Sequence, residues 1–152
     1  MFQLLIYIVR TKYKNNGDKR MSQFTSNFKG ELIGKNKWRN LEQFEYYREE
    51  DEDEIITVPE GFVTDFASVP RIFWAIISPV DRHGKAAVIH DYCYATALYN
   101  RKVSDVIFLE CLDVLGVAPW KQWCMYKAVR IGGWRAWQKH RKREKEEKKR
   151  SA

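Results

Sequence analysis

Residues 84–98 read GKAAVIHDYCYATAL, and this stretch decides the fold. From Ala86 to Leu98 every side chain is alanine, aliphatic, aromatic or cysteine, except His90, Asp91 and Thr96. A helix that is apolar almost all round belongs at the centre of a domain, covered on every side. Two adjacent ionisable residues therefore stand where charge is costly to bury. A buried carboxylate must find a cation, a metal or several hydrogen-bond donors.

Outward from this helix, Asn100 and Arg101 make a turn. Ser104 is a suitable N-cap for a second helix, Asp105 to Leu115, with Asp105 in its first turn. Gly116 suits its C-terminus, and Pro119 starts a third helix. The third helix carries an apolar stripe of Trp120, Trp123, Cys124, Ala128, Ile131 and Trp134, the spacing of a core-facing helix. Gly132-Gly133 is expected to interrupt it and to admit another backbone. Upstream, residues 28–64 read as β structure, with strand patterns at Lys29–Ile33, Trp38–Arg48, Ile55–Val58 and Phe62–Thr64. The acidic run Glu49–Glu54 reads as an exposed turn. Pro70 suits the first turn of a helix through Ile72, Phe73, Trp74 and Ile77. Asp65 sits where strand hands over to helix, as a turn or cap residue or as a member of a site.

The pattern predicts one α+β domain, a small antiparallel sheet packed against about three helices. Its expected span is residues 21–138, with a peripheral segment 1–20 and a basic tail 139–152, helical or disordered. With 152 residues, 45% of them hydrophobic, the chain can bury a proper core and is not wholly disordered. The net charge is +7, yet Trp134–Arg150 holds nine Lys/Arg against three Glu, leaving the rest near neutral. The apolar run FQLLIYIV near the N-terminus is far below the ~20 residues of a membrane span. Cys93, Cys111 and Cys124 are odd in number and widely spaced, which argues for reduced thiols in a cytosolic compartment rather than a disulfide framework or a zinc knuckle.

His90 and Tyr94 share a helix face, Asp91 lies about 100° round from His90, and Asp105 returns on the next helix. With Asp65 this set fits two jobs. In one, His90 is a general base oriented by Asp105, with a hard divalent cation on Asp91, for hydrolysis of an ester or phosphoryl bond. In the other, an arginine (Arg71, Arg82 or Arg130) pairs with Asp91 while His90 bonds Asp105 or Tyr94, a buried network that fixes packing without chemistry. In a tight helix pair turning near Asn100, His90 would face Leu109 or Glu110; Asp105 reaches it only if the first helix ends early, near Ala95, and a loop runs from there to Ser104. The basic tail adds a third, smaller option, contact with an anionic membrane or nucleic acid.

Two resemblances bear on these options. The segments VPEGFVTDFASVPR (58–71), AAVIHDYCY (86–94), SDVIFLE (104–110) and YKAVRIGGWRAW (126–137) together resemble an uncharacterised domain-of-unknown-function family common in tailed bacteriophages and prophages. The resemblance implies a phage or prophage accessory protein, in the bacterial host's cytoplasm or associated with the virion, whose partners would be virion or host proteins. IHDYCY (89–94) is similar to the active-site helix of phospholipase A2. That likeness implies His90 as base, Asp91 as calcium ligand with calcium favoured over zinc, and Tyr94 as partner of a second carboxylate, Asp105. The two differ before the helix, where Ser78–Gly84 holds a single glycine.

Overall fold

The computed structural model describes residues 22–48, 54–66 and 84–151. Among these residues six short strands pair into two three-stranded antiparallel sheets: β1 (Gln23–Phe24), β4 (Phe44–Arg48) and β5 (Glu54–Val58) in the order β1-β4-β5, and β2 (Gly30–Gly34), β3 (Lys37–Asn40) and β6 (Val63–Thr64) in the order β2-β3-β6. Among the described residues three helices follow: α1 (Gly84–Thr96), α2 (Arg101–Val114) and α3 (Pro119–Arg150). The α+β class expected from the sequence is therefore the observed one. Residues 1–20, residues 49–53 of the run expected as an acidic turn, and the expected helix after Pro70 lie outside the described residues; Glu54, the last of that acidic run, opens strand β5 instead.

Strand β4 shows why the sheet and helices adhere. Phe44, Tyr46 and Arg48 alternate with half-buried Glu45 and Tyr47, the period of two that sends one row into the core. Opposite them on β5, Val58 faces Phe44, Ile56 faces Tyr46 and Glu54 faces Arg48. The same core takes Ala86, Ala87, Val88, Ile89 and Cys93 from α1, Ile107, Phe108, Cys111 and Leu112 from α2, and Met125 and Val129 from α3. Helix α1 is thus the buried centre that its composition demanded.

Helix boundaries depart from expectation at two places. Helix α2 begins at Arg101 rather than Asp105, because Asn100 is the cap: its Oδ1 accepts from Val103 N at 3.0 Å. Ser104 lies inside the first turn, buried, donating from Oγ to the Asn100 carbonyl. The connection from α1 is short and passes through Ala97 at φ +50°, a left-handed turn that an L side chain adopts at a cost. Gly116, at φ +70°, closes α2 as expected, donating to the Asp113 carbonyl while Val117 donates to Leu112.

Helix α3 starts at Pro119 and runs unbroken for 32 residues, about 48 Å at the usual rise. Gly132-Gly133 does not interrupt it. Its core face is not the tryptophan stripe. Gln122, Met125, Ala128, Val129 and Gly133 are buried, while Trp120, Trp123, Ile131 and Trp134 are exposed. Small residues at Ala128 and Gly133 let α3 lie close to the site helices, so the bulky side chains are left outside.

Candidate functional site

Helices α1 and α2 bring His90, Tyr94 and Asp105 together with no solvent exposure at any of the three. Helix α1 ends at Thr96, close to the early end expected, but no loop runs on to Ser104: α2 starts at Arg101, and the tight turn itself returns Asp105 to the level of His90. His90 Nε2 lies 2.8 Å from Asp105 Oδ1, and the Tyr94 hydroxyl donates to the same oxygen at 2.5 Å. Arg130, from α3, donates to Oδ2 at 2.6 Å, and Arg101 stands 3.7 Å from that oxygen. Both arginines keep part of their side chains in contact with solvent.

The electrostatics follow from this packing. Burial by itself would raise the Asp105 pKa, but hydrogen bonds from His90, Tyr94 and Arg130 outweigh it and hold the carboxyl below its ordinary value. The Tyr94 hydroxyl is pushed the other way, first by burial and then by its bond to the ionised Asp105. Asp105 is therefore an anion at neutral pH, and Tyr94 a neutral donor to it. A neutral His90 ring must then place its proton on Nε2, toward the carboxylate. That leaves Nδ1 as the acceptor nitrogen, and buried Nδ1 has no hydrogen-bond partner among the described residues.

Gly133 is built into this site. A Cβ at that position would come within 2.7 Å of the Tyr94 hydroxyl. The close approach that the glycine pair was expected to permit is to this side chain rather than to another backbone. Further along α3, Trp137 packs edge-on against Tyr94, and Arg141 donates to the Tyr94 and Ala95 carbonyls at 2.8 and 3.0 Å. Those bonds satisfy carbonyls that the end of α1 would otherwise leave open. The polar part of α3 thus holds the end of the site helix in place.

Asp91 points elsewhere. Its Oδ2 accepts from the Thr64 hydroxyl of β6, and Thr64 in turn accepts from Phe66 N at 3.2 Å. Arg130, one of three arginines considered for Asp91, binds Asp105 instead; Arg71 and Arg82 lie outside the described residues. Asp65 is half-buried beside Thr64, and its charge offsets part of the pKa lowering that burial imposes on His140. Among the described residues, no group of three or more His, Cys, Asp or Glu side chains is placed to hold a metal ion.

A second buried network lies at the sheet side. Arg48 makes a two-pronged pair with Glu110, Nε to Oε2 and Nη2 to Oε1, both 2.9 Å, and donates from Nη1 to Glu54 at 2.6 Å. The Tyr99 hydroxyl donates to the other oxygen of Glu54. Sequence reading missed this network. Its signal was Glu110 inside the apolar run VIFLECL, a carboxylate on a core face. Burial keeps the Cys93 thiol protonated, its pKa pushed up to about 12, and likewise raises Cys111 well above its ordinary value. All three cysteines are free thiols, and Cys93 and Cys111 are buried.

Residues 38–129 match a protein family described as "Protein of unknown function (DUF1353)", and the chain belongs to that family. An uncharacterised protein, y4jT, of Sinorhizobium fredii is 38% identical over 78 residues, half of this chain. The chain spans only 23% of that relative's length. No solved structure matches. Among the described residues no helix is long and apolar enough to cross a membrane.

Proposed function

Taking that family membership as the premise, we propose that His90 is a general base and that the protein is a hydrolase of an ester or phosphoryl bond, serving a phage or prophage as an accessory protein. The observation that carries the chemistry is the His90 ring, with Nε2 anchored on an ionised carboxylate and Nδ1 without a partner. Asp105 fixes the tautomer, and Arg130 and Tyr94 keep Asp105 charged and still. Local opening must first admit water and substrate to the ring; Nδ1 then takes a proton from that water as the oxygen attacks the substrate carbon or phosphorus, and returns it to the leaving oxygen. The metal ligands on this reading are Asp91 and Asp65, an all-oxygen donor set that would favour calcium over zinc. The phage setting, a host-cytoplasmic or virion location, and virion or host protein partners rest on sequence resemblance alone.

A second reading is favoured by one specific observation: His90 is sealed from solvent and Asp105 is paired with arginine, as a purely architectural network requires. The two separate on activity. Wild type, His90→Gln and Asp105→Asn would be assayed on chromogenic carboxylic and phosphate esters, with calcium, with zinc and with chelator. The hydrolase reading expects His90→Gln to lose ~100-fold or more in rate while keeping its fold. Equal rates in wild type and His90→Gln, or no hydrolysis by wild type in any arm, would leave the architectural reading.

A further inference from the structure

Helix α3 has a second face that the core does not use. Trp120, Trp123, Ile131 and Trp134 stand on it with 60%, 41%, 80% and 55% of their surface exposed. At about 100° per residue these four and Lys127 fall within ~60° of one line along the helix, and Gln138, Lys142, Lys145 and Lys149 continue that line. From Pro119 to Arg143 there are eight Lys/Arg and no Asp or Glu. Arg130 and Arg141 are engaged inward, but Lys127, Arg135, Lys139 and Lys142 are exposed. Lys121 and Lys127 lie over the rings of Trp120 and Trp123, at 5.6 and 5.8 Å, so charge and indole share the same surface.

We propose that this face docks on an anionic lipid bilayer, with α3 lying in the plane of the interface. Tryptophans and Ile131 enter the boundary between headgroups and acyl chains, and the lysines meet lipid phosphates. Nucleic acid fits the charge but gives a highly exposed isoleucine and three indoles on one helix face little to bury against a duplex. A second copy fits the apolar stripe but would set a run of cations without carboxylates against itself. The inference stands independently of the His90–Asp105 reading.

The test is co-sedimentation of the full chain with vesicles of phosphatidylcholine alone or with 30% phosphatidylglycerol, at 100 mM salt, read together with tryptophan emission. Anionic vesicles are expected to bind at least tenfold better than neutral ones, with a blue shift as indoles leave water. Ile131→Ser with Trp134→Ala is expected to abolish the shift and most of the binding without lowering the melting temperature. Lys127→Ala and Lys142→Ala should each weaken partitioning about fivefold. Equal or absent binding to the two vesicle types would overturn the proposal, as would undiminished binding by the stripe variants. Stripe-dependent dimerisation in sedimentation equilibrium, or preference for duplex DNA over anionic vesicles, would also overturn it.

Discussion

The two buried networks of this protein use the same materials and end differently. At the sheet side, Arg48 is held by Glu110 and Glu54, and Tyr99 takes a remaining carboxylate oxygen. The bonds there tie β4 to helix α2 and to β5, and β5 to the turn that carries Tyr99. At the helix side, Asp105 is equally well held by His90, Tyr94 and Arg130, yet the ring that it orients leaves one nitrogen unpartnered. A network that closes on itself is explained by stability. One that anchors a titratable ring and leaves its far atom open has capacity for proton transfer, and leaving that atom buried costs stability.

The comparison can be broken by substitution. The largest loss is expected from Glu110→Gln, which strips the two-pronged partner from a buried guanidinium; urea denaturation should show a cost of about 3–5 kcal/mol. Asp105→Asn should cost less, about 2–3 kcal/mol by the same measurement, because Arg130 and Arg101 already reach solvent and can turn to it. Gly133→Ala should cost about 1–3 kcal/mol by forcing the Tyr94 hydroxyl off Asp105, and Tyr94→Phe should relieve part of that cost. An equal cost for Glu110→Gln and Asp105→Asn would erase the distinction between the networks.

Acid sharpens the comparison. The folded-state pKa of Asp105 lies below its unfolded value, so its ion contributes stability above about pH 4, and that contribution is lost as pH falls through the lowered value. Asp105→Asn should therefore flatten the acid limb of stability against pH in urea titrations. The smallest effect belongs to the turn between the networks. Ala97→Gly relieves the left-handed strain and should stabilise by about 1 kcal/mol in thermal melts.

Much of this arrangement was legible in the chain. The all-round apolar pattern of residues 86–98 fixes α1 as central, and the alternation in FEYYR marks β4 as half core, half surface. His90 and Tyr94 had to share a face. The cap at Asn100 was not legible, since Asn and Ser are comparable caps and only the turn at Ala97 selects between them. Helix α3 misled for a different reason. Periodicity reports that a face is apolar, not which way it turns, and here close approach to Tyr94 favours the face with Ala128 and Gly133 over the tryptophans. The Arg48–Glu110 pair joins residues 62 apart in sequence, a separation that no local pattern encodes.

The most direct test of the central claim is the nitrogen spectrum of His90 in protein labelled with ¹⁵N histidine, assigned with His90→Gln, at neutral pH. A proton on Nε2 and a bare, pyridine-like Nδ1 are expected. A proton fixed on Nδ1, with Nε2 bare or also protonated, would contradict that claim and leave His90 as part of the core architecture.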